Sequence, residues 1–262
     1  MQVAKPKKGY KLAKWYFGKH LEIPEGWEEK KLENIVDVFG TGEWGNDDAE
    51  AVPEDYVRVK VIRNTEFKNW QNEFGATGKL RLIEKKKLNK ELLHENDILL
   101  EGSGGGPDQP VGRTVIITKD VFQNTKLPII STNFLKRMRP KSVVNANFLN
   151  YFLKFLYNNG ITKNFEIKTS NLRNFEFKWF LKTSLIPLPP VPEQKQIASI
   201  LSNVDDTLQK TNQIIDQIQR FKKGMMQKLL TRGIGHTKFK KVKWLFGKEI
   251  EIPEEWKLDI LA

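Results

Sequence analysis

Pro189-Pro190-Val191-Pro192-Glu193-Gln194 opens a stretch that continues without a helix breaker to Thr231-Arg232-Gly233. Within it Ile197, Leu201, Val204, Leu208, Thr211, Ile215, Ile218, Lys222, Met225 and Leu229 recur at alternating steps of four and three, the period of a heptad seam. Pro192 and Glu193 suit a first turn, where one N–H is spare and the helix dipole favours a carboxylate. Lys228 and Arg232 before Gly233 suit the last. One uninterrupted helix is predicted, roughly 58 Å long at the α-helical rise. A buried core helix would carry a wider apolar face than this narrow stripe. The sequence holds no second helix of comparable length, so the expected partner of Ile197, Leu201, Val204, Leu208, Ile215, Ile218, Met225 and Leu229 is another chain. Thr211 and Lys222 in the seam lower stability while fixing register and partner number. Gly224 costs about 1 kcal/mol relative to Ala inside a helix, which points to a close contact there.

The 262 residues suffice for one large or two modest domains. Cysteine is absent, which rules out disulfides, Cys-based zinc sites and thiol nucleophiles and is compatible with a reducing cytoplasm. His20, His94 and His236 are far apart along the chain, so no histidine-rich metal site is expected, and neither is a cofactor. No apolar run approaches the ~20 residues that cross a bilayer, and Met1 to Lys8 lack the apolar core of a secretion signal. A cytoplasmic protein without a membrane partner is expected.

Net charge is +12, and a polyanion is the leading partner class. The charge is unevenly spread: residues 31–110 carry 11 basic and 16 acidic side chains, residues 111–190 carry 13 and 3. The near absence of acids over the second segment makes it the cationic part of the globular region. Lys85-Lys86-Lys87, surrounded by acids, reads instead as a solvated face.

Residues 14–27, KWYFGKHLEIPEGW, and 243–256, KWLFGKEIEIPEEW, are identical at ten of fourteen positions. The chain therefore reads as one full unit followed by the opening of the next. Between the copies, short apolar runs at Val57 to Ile62, Leu80 to Ile83, Asp97 to Leu100, Thr114 to Thr118 and Pro128 to Ser131 are predicted strands. Helical spacing appears clearly from Asn147 to Leu156, with Asn158-Asn159-Gly160 as the stop. Asn174 to Phe180 alternates Phe175, Phe177 and Trp179 with polar residues and is predicted to be a half-buried strand. Leu185 to Pro190 is an extended, proline-stiffened hinge into the long helix.

Glu101-Gly102-Ser103-Gly104-Gly105-Gly106-Pro107 is glycine-rich, yet no Gly-Lys-Ser/Thr follows and Pro107 breaks the dinucleotide spacing. It is a flexible turn or a place where backbones approach closely, with Arg113 after Gly112 supplying a guanidinium beside it.

Asp97-Ile98-Leu99-Leu100 before that turn, Ile186-Pro187-Leu188-Pro189-Pro190-Val191-Pro192-Glu193-Gln194-Lys195 at the helix start, and Phe221-Lys222-Lys223-Gly224-Met225-Met226-Gln227-Lys228-Leu229-Leu230 at its end resemble the specificity subunit of type I restriction-modification enzymes. The repeated Ile-Pro-Glu-x-Trp element is similar to the start of that family's target recognition domain. The resemblance implies an α+β architecture: a mixed α/β target recognition domain followed by one long helix in an intermolecular coiled coil. The division is then 1–30, an N-terminal segment; 31–187, the DNA-binding domain; 188–232, the spacer helix; and 233–262, the repeated segment. Full-length members have two recognition domains and two helices packed antiparallel. This sequence has one of each, like half-length subunits that pair as homodimers. The resemblance also implies double-stranded DNA, a DNA methyltransferase subunit and a restriction subunit as partners. A rod of roughly 58 Å covers more than one and a half turns of B-DNA, so two heads could read separated half-sites, and a two-fold axis would make the site symmetric.

Sequence-specific binding needs cations for phosphates and planar hydrogen-bonding ends for base edges. Lys136, Arg137, Arg139 and Lys141 form the densest basic cluster, adjacent to Asn133, and Lys163, Lys168, Ser170, Asn171 and Arg173 form a second, loop-like one. With Arg113, Ser103 and Gly104 they are expected to line the DNA face. A methyltransferase's Asn-Pro-Pro-aromatic element is lacking, so no catalytic role is expected. A nuclease built from Asp108 with Glu166 and Lys168, or with Glu176 and Lys178, is disfavoured because Glu-x-Lys triplets arise by chance in so charged a chain. Two other classes remain: an RNA-binding module stacking bases on Trp44, Trp70 or Phe134, and a coiled-coil adaptor, which would not need the cationic asymmetry.

Overall fold

The computed structural model describes residues 5–106, 109–123, 125–169 and 172–257. The chain forms two units, residues 1–202 and 203–262. In chain order, the first unit contains β1 (Tyr10–Lys14), β2 (His20–Pro24), β3 (Glu28–Lys31), α1 (Leu32–Ile35), β4 (Val36–Thr41), β5 (Asn46–Asp47), β6 (Tyr56–Ile62), α2 (Trp70–Glu73), β7 (Lys79–Glu84) and α3 (Lys85–Glu91). It continues with β8 (Ile98–Glu101), β9 (Ser103–Gly104), β10 (Thr114–Ile116), α4 (Lys119–Gln123), β11 (Ile129–Ser131), β12 (Leu135–Pro140), α5 (Ala146–Asn158), β13 (Glu166–Thr169), β14 (Leu172–Phe175), α6 (Phe177–Thr183) and β15 (Leu185–Leu188). α7 (Val191–Arg232) begins in the first unit and continues into the second, where β16 (Phe239–Lys243) and β17 (Glu249–Pro253) follow. The class is mixed α/β with one long helix, as the sequence implied.

Two four-stranded sheets organise the first unit, in the orders β10-β8-β12-β4 and β11-β6-β7-β5. The expected apolar runs fall on β6, β7, β8, β10 and β11. Ile98, Leu100, Val36 and Met138 bury against Phe148, Leu149, Leu153 and Leu156 of α5, while Leu99, Val115 and Leu135 pack with Phe67 and Trp70. Adjacent residues of β8 thus serve different cores, as alternation along a strand requires. Asn145 caps α5 by accepting from Phe148 N at 3.0 Å.

Two expectations change. The segment Asn174 to Phe180 is not one strand, because β14 ends at Phe175 and α6 starts at Phe177. Phe177, Phe180 and Leu181 are buried and Trp179 is 46% exposed, so the helical period prevails over the apparent alternation. The hinge is extended but is a strand: β15 pairs antiparallel with β3, and Ile186 and Leu188 are buried. Short helices such as α1, α3 and α6 carry too few turns to show a period in the sequence.

α7 has 42 residues. Its first turns are built into the first unit: Gln194 and Ala198 are buried, Ile197 packs on the core, and Trp27 donates its indole N–H to the Glu193 carboxylate at 3.2 Å. Further along, the seam residues Leu201, Val204, Leu208, Ile215, Ile218, Met225 and Leu229 are 36–60% exposed. Nothing lies within 4 Å of where a Cβ on Gly224 would sit.

The sequence repeat is a structural repeat. β1–β2 and β16–β17 are antiparallel hairpins with corresponding registers, Tyr10↔Pro24 to Lys14↔His20 and Phe239↔Pro253 to Lys243↔Glu249. In each turn a phenylalanine, Phe17 or Phe246, has φ +58°. Trp15 N donates to Lys19 O at 2.8 Å and Trp244 N to Lys248 O at 2.6 Å.

Candidate nucleic-acid interface

The glycine run leaves β8 at Glu101 and is tied into neighbouring strands. Gly102 N donates to Phe134 O at 2.8 Å, and Phe175 N donates to Gly102 O at 2.9 Å. A Cβ on Gly102 would lie 2.9 Å from Lys136 Cε, so the close approach that glycine permits is used within the chain. Ser103 and Gly104 then form β9, opposite Asn174 and Arg173 of β14. Gly104 and Gly105 take φ +128° and +69°, in the region that suits glycine.

A buried ion pair lies under this turn. Glu101 is fully buried and accepts from Arg113 Nε and Nη2, both at 2.8 Å, and from Asn64 Nδ2 at 3.1 Å. Burial alone would lower the Arg113 pKa, but its bonds to Glu101 hold it above the ordinary value. A concavity of about 610 Å³ opens beside the pair, lined by Asn64, Thr65, Lys68, Gly105, Gly106 and Gln109 as well as Glu101 and Arg113. Asn64, Thr65, Lys68 and Gln109 were missed by the sequence reading. The polar stretch after β6, Asn64-Thr65-Glu66, was the available signal.

Among the expected residues, Ser103, Gly104, Arg113, Lys136 and Arg173 gather at the glycine run, with Lys168 opposite Arg173 in the β13–β14 register. Asn133 is exposed in the turn before Phe134. Arg173 Nη1 donates to Glu166 Oε2 at 2.9 Å, and Ser103 Oγ donates to Asn174 Oδ1 at 2.7 Å. Partial burial lowers the pKa of Lys136, which has no ion pair among the described residues. Ser170, Asn171 and the Asp108 considered for a nuclease lie outside the described residues.

Arg137 and Arg139 form a separate group, with their guanidinium carbons 4.6 and 4.5 Å from the Phe39 ring centroid. Arg137 is 4% exposed and donates to the carbonyls of Leu92 and Lys90. Arg139 grips the buried Asp97 with Nε at 2.7 Å and Nη2 at 3.0 Å, bonds that raise its pKa. Lys141 Nζ is 3.6 Å from Asp37 Oδ1 and donates to Asn34 O at 3.3 Å. Lys163 is exposed on the short 3-10 turn Ile161–Phe165.

The residues weighed for other chemistry are spread over the unit. Trp70 is buried and donates to Ile116 O at 3.1 Å, Trp44 lies under the Arg81 guanidinium, and Phe134 is 46% exposed. Glu166 is held by Arg173 and by Val111 N at 2.7 Å. Among the described residues, no three His, Cys, Asp or Glu side chains gather as metal ligands, and no helix is long and apolar enough to cross a membrane.

Residues 24–220 match the family described as Type I restriction modification DNA specificity domain. Among curated relatives, the chain is 30% identical over 240 residues to the putative type I restriction enzyme MjaX specificity subunit of Methanocaldococcus jannaschii, covering 90% of this chain and 52% of the relative. It is 31% identical over 242 residues to the MjaVIII specificity subunit of the same organism, covering 91% and 49%. The chain thus spans about half the length of these relatives. A crystal structure of the HsdS subunit from Thermoanaerobacter tengcongensis aligns with TM-score 0.47 and 16% identity, over 84% of this chain and 47% of that one. The family match covers the cationic segment and the first thirty residues of α7 together, and by that match this chain is a member of the type I restriction modification DNA specificity domain family.

Proposed function

We propose that this chain is a non-catalytic DNA-recognition subunit that reads one part of a split duplex sequence in a type I restriction-modification complex acting in the cytoplasm. The observation that carries this reading is the joining, within one family match, of a cationic globular unit to a helix whose heptad seam is uncovered in this chain. In this reading Ser103, Gly104, Arg113, Asn133, Lys136, Lys163, Lys168 and Arg173 lie toward the DNA, and Ser170 and Asn171, outside the described residues, are assigned to the same role. Arg137, Arg139 and Lys141 shape the neighbouring sheet and contribute field more than direct contact. Two copies pair along Leu201, Val204, Leu208, Ile215, Ile218, Met225 and Leu229, while Ile197 at the head of the seam is taken up by its own unit's core, the paired helices set the half-site gap, and a DNA methyltransferase subunit, with a restriction subunit, docks on the assembly. Methylation chemistry belongs to that partner.

The test is light scattering of the purified chain, followed by selection from randomised duplex DNA with the methyltransferase subunit present. A mass of about 61 kDa, twice the 30.5 kDa chain, and enrichment of a symmetric split site are expected. Enrichment of RNA over duplex DNA in direct competition would favour the RNA-binding module, and a dimer without nucleic-acid affinity would favour the adaptor.

A further inference from the structure

The concavity of about 610 Å³ holds more than the Glu101–Arg113 pair requires. Asn64, Thr65 and Lys68 reach it from the turn after β6, Gly105 and Gly106 from the glycine run, and Gln109 and Arg113 from the segment leading into β10. Glu101 engages Arg113 through Nε and Nη2, and the arginine side chain stays 21% exposed. In the amide orientation that satisfies both groups, the exposed Gln109 sets its carbonyl oxygen 2.6 Å from Arg113 Nη1 and 2.8 Å from Nη2. A neutral acceptor on an exposed side chain thus covers the one edge of the guanidinium that Glu101 leaves free. Lys68 is exposed, with no carboxylate partner among the described residues. The charges of Glu101 and Arg113 cancel, so Lys68 leaves the described lining with one net positive charge.

We infer that this concavity is a socket for one phosphodiester of the DNA backbone, with Lys68 and Arg113 Nη1 as its cationic donors and Gln109 as a stand-in that the phosphate displaces. The inference rests on the DNA-recognition reading proposed above and adds to it a cation from residues 31–110, where acids outnumber bases. Shape selects the ligand. A phosphate projects from the duplex and can enter a recess, whereas base edges lie at the floor of a major groove roughly 8.5 Å deep and are met by side chains that protrude. None of the described lining residues is aromatic, so an extrahelical base finds no stacking face. Gly105 and Gly106 let a foreign backbone come close, and a Cβ on Gly106 would meet nothing within 4 Å. A phosphate oxygen bonds a guanidinium more strongly than an amide oxygen does, because the acceptor is charged. Exchanging the Gln109 oxygen for a phosphate therefore leaves no Arg113 donor uncovered.

The test is the salt dependence of duplex binding by the full chain, read by fluorescence anisotropy on a labelled duplex of randomised sequence. Lys68 is exposed and Gly106 lies outside the left-handed region, so Lys68→Ala and Gly106→Glu should both fold, as circular dichroism verifies. Lys68→Ala should lower the slope of log affinity against log salt by about 0.9 and weaken all sequences alike. Lys68→Arg should restore the slope. Gly106→Glu, which sets a carboxylate at the socket, should weaken binding further than Lys68→Ala does. Lys85→Ala, on the solvated lysine run, controls for the loss of a distant cation and should leave the slope near that of the parent. A Lys68→Ala chain with the parent's slope, where the parent itself binds duplex with a clear salt dependence, would overturn the socket and leave the DNA reading standing. A shift in the bases selected from randomised duplex, at unchanged slope, would overturn it in favour of base reading. A parent chain whose duplex binding is absent or indifferent to salt would remove the DNA reading and the socket with it.

Discussion

The Gln194 side chain in the first turn of α7 grips Asn145, the N-cap of α5. Gln194 Oε1 accepts from Asn145 N at 2.7 Å, while Nε2 donates to Pro189 O at 2.8 Å and Val143 O at 3.2 Å. The side chain is fully buried. The Gln of the Pro-Glu-Gln motif thus joins the long helix to the globular unit, and Glu193 adds the Trp27 bond on the outside.

Gln194→Leu should therefore cost about 3 kcal/mol, because it buries an amide N–H and two carbonyls without partners. Urea unfolding would read this as a lower midpoint at unchanged slope. A variant as stable as the parent would show that the amide is not the fastening.

Glu101→Gln and Arg113→Ala should each destabilise the first unit by about 3–5 kcal/mol, since each leaves the other half of a buried pair uncompensated. A Glu101→Leu/Arg113→Leu double variant should lose less than the two single leucine variants combined, measured by thermal unfolding as a double-mutant cycle.

Lys136→Ala and Lys163→Ala should leave stability nearly unchanged and each lower the slope of log affinity against log salt by about 0.9 if the lysine neutralises a phosphate. Arg137→Ala should differ, costing about 2 kcal/mol of stability through the released carbonyls of Leu92 and Lys90. Salt titrations of DNA binding beside denaturation curves separate the two behaviours.

Leu208→Asp should convert a homodimer to monomer at micromolar concentration, because it puts a carboxylate in the middle of the seam. Light scattering reads the mass, and circular dichroism verifies that the first unit stays folded.

Glu91 carries a pKa raised above its ordinary value, mainly by burial. Its folded pKa exceeds its unfolded one, so the ionised form opposes folding above the folded pKa and the penalty disappears below the unfolded pKa. Glu91→Gln should be modestly more stable than the parent at neutral pH, and the advantage should vanish as pH falls into the acid range, followed by melting temperature against pH.

Much of this protein was legible locally. The period from Ile197 to Leu229 specified a long helix because a heptad repeats over many turns, and the ten shared residues of the two hairpins specified the same turn twice. The cationic segment 111–190 was visible as a count, since charge is additive along a chain. What each cation touches was not. Arg113, Arg137 and Arg139 read alike in the sequence, yet one closes on Glu101, one on backbone carbonyls and one on Asp97, acids and carbonyls that lie 12 to 47 residues away along the chain. The same holds for Phe175, Phe177 and Trp179, whose alternation imitates a strand until the core around Phe165 selects Phe177, Phe180 and Leu181 as a helical face. Periodicity and composition are short-range properties that the chain carries by itself. Ion pairing and the Gln194 fastening depend on contacts between distant residues, and only the folded arrangement brings those together.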